Sequence, residues 1–167
     1  MRFLLVIVLL LSLYLTGNAQ VSNERESLRG LDGLGVFYKI EPDKLKEFGL
    51  QASLMATDVT LRLRKAGISV LETEVEKKQA KGHLLTGVSI WRIDGDRIGF
   101  VVTISVLQWV YLARAKEPEA LYLTTYNRPM VYGDAAPSEM GEALRSALAD
   151  AVDKFINDYL AANARRQ

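Results

Sequence analysis

The residues able to do acid–base or metal chemistry are few and scattered. His83 is the single histidine of the 167-residue chain, and there is no cysteine. A zinc centre draws several ligands from His and Cys, so no metal site is expected. Counting alone leaves room for a Ser-His-Asp triad, but the chain has no G-x-S-x-G elbow to present a nucleophile. His83 is therefore expected to be an ordinary residue at the start of a strand. Glu72, Glu74 and Glu76 alternate, as do Asp94 and Asp96. Paired carboxylates can move protons or bind calcium. Here the first set falls in a charged connection and the second in a hairpin turn, and solvation and turn chemistry account for both. Asp58 and Arg62 stand at i and i+4, the spacing of a surface helix pair. Arg62, Arg64 and Lys65 suit the dipole at a helix C-terminus and are not read as an anion site. Gly30, Gly33 and Gly35 follow G-x-x-G-x-G, the wrong order for a dinucleotide fingerprint. They also precede a strand instead of joining a strand to a helix. Their expected role is a flexible entry into a sheet, and no cofactor is implied.

The aromatic residues are more informative. Trp91, Trp109 and Tyr111 share one parity on two consecutive strand-like runs, so they project from the same side of a sheet. Val101, Thr103, Ser105 and Leu107 share that side. Tyr122, Tyr126 and Arg128 add to one side or the other, because the register of their strand is open. A semi-polar sheet face with several aromatics can bind a peptide, a glycan or another subunit. The alternative is a set of cross-strand pairs that stabilise an open sheet.

The N-terminus carries the address. Arg2 precedes a run, residues 3–15, whose one polar break is Ser12, and Gly17 and Ala19 fit the small-x-small rule of signal peptidase. Cleavage is expected between Ala19 and Gln20. As a helix the run spans roughly 20 Å, short of the ~30 Å hydrocarbon core, so no membrane span is expected to remain after cleavage. Without cysteine there is neither a lipid-anchored form of this signal nor a disulfide, and the core alone must hold the fold. Of 21 Lys and Arg only Arg2 lies in this segment, so residues 20–167 balance 20 against the 20 Asp and Glu. Phosphate binding needs an excess of Lys and Arg on one face, which argues against nucleic acid and anionic membranes.

The elements that position these residues follow from patterning. Residues 20–32 read as a loose lead-in, residues 33–163 as one α/β domain, and 164–167 as a polar tail. Residues 36–40 are β-branched and aromatic and read as a first strand. Residues 41–49 read as a polar connection. Residues 50–66 read as a helix, with Gly67 as its left-handed stop and Ile68 as the accompanying contact. One stripe of this helix (Ala52, Met55, Ala56, Val59, Leu63, Ala66) faces the sheet. A second, Leu50, Leu54 and Leu61, lies nearly opposite and needs cover from the lead-in, another helix or a partner, which marks it as a candidate interface. Residues 69–71 form a short second strand joined by a parallel crossover, and residues 72–81 an exposed charged connection.

An antiparallel meander follows over 83–93, 97–113 and 120–131. Phe100, Val102, Ile104 and Val106 form an unbroken apolar face. A three-residue loop sets them against Ile90, Val88, Thr86 and Leu84; a two-residue loop sets them against the poorer series from Trp91 to Leu85. The longer loop places Trp91 opposite Gly99, an aromatic over a bare glycine. A turn around Pro118 leads to the fifth strand, an edge strand with Pro129 near its end. Ser138 is the expected cap of a last helix running to about Ala162. The fold class is α/β (α+β), two-layered. A mixed five-stranded sheet carries two helices on one face, in the order β-α-β-β-β-α.

Three blocks, LRGLDGLGV (residues 28–36), TDVTLRLRKAGISVL (57–71) and DKFINDYLAAN (153–163), are similar to those of a family of small exported bacterial proteins. That resemblance spans nearly all of the chain after the signal and implies no established activity and no catalytic residue. The element order also resembles the TolB N-terminal domain, a likeness of fold that licenses no function. These readings lead to an exported, non-enzymatic interaction module of the bacterial envelope. Its expected partner is a protein or peptide of the envelope, and its candidate binding residues are Trp91, Trp109 and Tyr111. The alternatives are a small periplasmic hydrolase-like enzyme using dispersed carboxylates or His83, and a subunit of a homo-oligomer built on Leu50, Leu54 and Leu61.

Overall fold

The computed structural model describes residues 23–93, 95–112 and 120–164. The expected signal peptide and its cleavage site, Asp94 of the first turn, the turn around Pro118 and residues 165–167 lie outside them. Among the described residues the order is β1 (Leu34–Ile40), α1 (Pro42–Lys46), α2 (Ala52–Lys65), β2 (Val70–Leu71), α3 (Glu74–Gln79), β3 (Gly82–Arg92), β4 (Ile98–Tyr111), β5 (Ala120–Ala135) and α4 (Met140–Ala162). No helix among them is long and apolar enough to cross a membrane.

The strands form one mixed sheet in the order β2-β1-β3-β4-β5. β1 runs parallel to both β2 and β3, and β3, β4 and β5 form the antiparallel meander. The β3–β4 register is the one that the apolar pattern requires, with Leu84 opposite Val106, Thr86 opposite Ile104, Val88 opposite Val102 and Ile90 opposite Phe100. A slip of one residue would send this set to the other face. Trp91 lies opposite Gly99, and a Cβ there would come within 2.6 Å of the indole.

Helices α2 and α4 lie side by side on one face of the sheet and close a single core. In α4, Leu144, Leu148, Ala151, Val152, Phe155, Ile156 and Tyr159 are buried at helical spacing. In α2 the buried set is Met55, Val59 and Leu63. The end of α2 is a Schellman stop: Gly67 has φ +79°, its N–H reaches the Arg64 carbonyl at 2.9 Å, and Ile68 N–H reaches Leu63 at 3.0 Å.

Several local expectations are corrected. Residues 41–49 contain the short helix α1, started by Pro42. Residues 72–81 contain α3, held by a capping box in which the Thr73 hydroxyl accepts from Glu76 N–H while the Glu76 carboxylate accepts from Thr73 N–H. These contacts, that to the Thr73 backbone first, hold the Glu76 carboxyl below its usual pKa. Helix α2 begins at Ala52, so Leu50 precedes it. Arg62 does not turn back to Asp58. Its Nη1 donates to both carboxylate oxygens of Asp153 on α4, at 3.0 Å each, and clamps the two helices together. Ser138 does not cap α4, whose N-cap residue is Glu139. Strand β5 runs to Ala135, which places Pro129 well inside it.

The described part of the lead-in is not loose. Residues 23–26 are helical and Leu28 is fully buried. Arg25 Nε donates to Asp158 at 2.8 Å, Gln108 donates to the Ser27 carbonyl at 2.9 Å, and Asn163 both receives from Gly30 N–H and donates to the Leu28 carbonyl. With the Ser27 hydroxyl donating to the Thr125 carbonyl, this segment ties α4 to β4 and β5 and does not lie over the outer stripe of α2.

Candidate functional site

The sheet has two faces, and α2 and α4 cover one of them. On the other, strand alternation presents Gly35, Phe37 and Lys39 from β1, and the odd-numbered residues from His83 to Trp91 of β3. It also presents those from Gly99 to Tyr111 of β4. The short helix α3 lies over the β1 margin of this face, where Lys77 packs on Gly35 and sets its ammonium 5.5 Å from the centroid of Phe37.

Strand β5 joins this face in an order that parity alone does not predict. Tyr122 pairs with Trp109, and Tyr126 pairs with Val106. Four residues on β5 thus oppose three on β4, and a bulge at Thr125 absorbs the difference. Gln108 donates to the Thr125 hydroxyl at 2.6 Å, which anchors the bulge. Its consequence is a change of face. Tyr122 points to the open side, while Tyr126 turns into the core, stacks edge-on against Phe155 and donates to Asp158 at 3.0 Å. A second irregularity, between Asn127 and Met130, returns Met130 and Tyr132 to the open side.

An aromatic row runs across the strands near the β4–β5 connection. Phe37 and His83 have centroids 5.4 Å apart, His83 and Tyr122 5.5 Å, and Tyr122 and Trp109 5.1 Å. These are edge and tilted contacts of the kind that aromatic quadrupoles favour. Tyr111 extends the row along β4. His83 is held at both ring nitrogens. A carbonyl can only accept, so Nε2–H donates to the Lys77 carbonyl at 2.7 Å and Nδ1 accepts from the Tyr122 hydroxyl at 2.6 Å. Burial raises the Tyr122 phenol above its ordinary pKa. With both nitrogens engaged, His83 is a cross-strand strut in this arrangement.

At the opposite end of the strands Trp91 covers Gly99, and across β4 Tyr132 stands opposite Val101 and Met130 opposite Thr103. The two ends are on the order of 30 Å apart, ten residues of β4 at about 3.3 Å each. Between them lies a low band formed by Gly87, Ser89, Thr103 and Ser105, in which Ser105 donates to Asn127 at 2.7 Å. Phe37, Trp91, Trp109, Tyr111, Tyr122, Met130 and Tyr132 are each between 39% and 67% exposed. Beyond the open face, the described residues include a shallow cleft of about 250 Å³ between Lys44, Phe48, Ile90 and Trp91.

All three predicted binding residues therefore lie on one face. Trp109 and Tyr111 stand together, and Trp91 stands at the far end. The candidate interface on α2 is corrected. Leu50 is 2% exposed, because it precedes the helix and its side chain points into the core. Leu54 and Leu61 remain exposed, but on the helical layer, away from the aromatics. Sequence reasoning missed Phe37, His83, Met130 and Tyr132 as members of the face. The alternation in residues 36–40 was a usable signal for Phe37, whereas Tyr132 lay beyond the expected end of its strand. The chain matches no protein-family model and no curated protein.

Proposed function

We propose that this protein is an exported, non-enzymatic interaction module of the bacterial envelope that holds a protein or peptide partner on the open face of its sheet. The observation that carries this reading is the set of aromatic side chains left uncovered there. Isolated surface aromatics need no explanation, but seven large apolar side chains left exposed on one uncovered sheet face mark an interaction surface. Its composition is that of an interface centre, rich in Trp, Tyr, Phe and Met. No acid or base lies between His83 and Trp91 or between Gly99 and Tyr111 on that side. Export is inferred from Arg2, the apolar run of residues 3–15 and the small residues Gly17 and Ala19.

The test is a photo-crosslinking amino acid placed at Trp109 in living cells, with Leu54 on the helical layer as the control position. A covalent adduct is expected from Trp109 and not from Leu54. Capture by the Trp91→Ser/Trp109→Ser protein should be lost while its circular dichroism is unchanged. Adducts that form equally at Leu54, or none at Trp109, would remove the open face from consideration.

A further inference from the structure

We infer that the occupant of the open face is a second copy of this chain, packed sheet on sheet about a two-fold axis. This rests on the reading of the face as a binding surface and names its partner. The first argument is area. Seven side chains of the Phe, Tyr, Trp and Met class stand roughly half exposed there. At about 150–250 Å² per large side chain they leave on the order of 700 Å² open. The half-buried Val101 and Leu107 and the hydroxyls of the central band add to it. A stable interface takes about 800 Å² from each partner, so the face is the size that one copy must contribute to a dimer.

The second argument is charge. A two-fold contact sets a surface against itself, so any charge at its centre meets its own kind. The strands β3 and β4 contribute no Lys, Arg, Asp or Glu to this face. The ionic groups stand at its margins, Lys39 and Lys77 along β1 and α3, and the Arg97–Asp134 pair at the end of β5. Residues 20–167 balance 20 Lys and Arg against 20 Asp and Glu, so two exported copies approach without appreciable repulsion.

The third argument is layering. A sheet face that carries large apolar side chains is buried against a helix layer or another sheet. A second copy offers a face of equal strand length, and two twisted sheets stack about 10 Å apart with strands within roughly 30°. Trp and Tyr side chains from both copies then fill the space between the layers.

Sedimentation of the protein purified after export, from nanomolar to high micromolar, tests this. A dimer is expected at micromolar concentration. On dilution the emission of Trp91 and Trp109 should shift to the red as both tryptophans return to water. Trp109→Ser and, independently, Ser89→Arg at an exposed central position should each weaken association by about thirtyfold or more. Leu54→Ser should leave it unchanged. A protein monomeric throughout, or a dimer indifferent to both face substitutions, overturns the inference. The crosslink at Trp109 separates the two readings. An adduct with a different chain, beside a monomer in solution, overturns the second copy and leaves the binding face standing. No adduct of any kind ends both.

Discussion

The hydroxyl of Tyr122 on β5 reaches over β4 and donates to Nδ1 of His83 on β3 across 2.6 Å. The other ring nitrogen holds the Lys77 carbonyl, so the imidazole links the edge strand, the sheet centre and helix α3. Tyr122→Phe removes one donor from a half-buried acceptor. A loss of about 1 kcal/mol is expected in urea unfolding, the usual net value of such a bond. Nitrogen-15 spectra of the neutral wild-type imidazole should show the proton on Nε2. The opposite tautomer, or a neutral substitution, would contradict this arrangement.

Tyr126 occupies the core and donates to Asp158, which Arg25 also holds. Burial first, and then the Asp158 charge, push its phenol far above the ordinary tyrosine range. Burial also raises Tyr38, Tyr122 and Tyr159. A pKa raised by folding means that the neutral phenol is favoured in the native state. That stabilisation is complete below the unfolded value of about 10 and declines as pH rises above it. Unfolding free energy should therefore fall steeply above about pH 10. Tyr126→Phe should make that decline shallower, while at neutral pH it should cost about 1–3 kcal/mol by taking a donor from Asp158. An alkaline limb identical in the variant would refute the assignment.

Leu28 anchors the N-terminal segment by its fully buried side chain. Leu28→Ala should destabilise the whole domain by about 2–5 kcal/mol, the range for deleting a core leucine. If the segment were a loose lead-in, the same change would be silent in thermal unfolding.

Thr86 lies on the helix-covered face, and its hydroxyl has no hydrogen-bond partner among the described residues. An unpaired buried hydroxyl opposes folding by about 1–3 kcal/mol. Thr86→Val keeps the branched shape and removes the polar atom, so the variant should be more stable by roughly 1 kcal/mol. A lower melting temperature would show that the hydroxyl has a partner after all.

Much of the architecture was legible in the chain itself. The even-numbered apolar series of β3 and β4 has one pairing that buries it whole, and so the loop length, the register and the Trp91–Gly99 contact followed from pattern. Gly67 and Ile68 announced the end of α2. Helix α3 was legible in principle from the Thr73-x-x-Glu76 spacing, but the density of charge around it read as a connection. Leu50 was misplaced because helical periodicity was extended two residues too far, and those two residues turn its side chain from the surface into the core.

The face of β5 is where sequence alone fell short. Tyr122 and Tyr126 have the same parity, and strict alternation would set them on one side. The bulge at Thr125 sends one to the open face and the other beneath α4. The bulge is held by Gln108 on the neighbouring strand, and the buried place of Tyr126 by Asp158 on a helix 32 residues away. Local patterning determined which residues alternate. The long-range contacts decided where the alternation breaks, because only the packed partner strand and helix can stabilise an unpaired residue in the ladder. That break completes the row from Phe37 to Trp109.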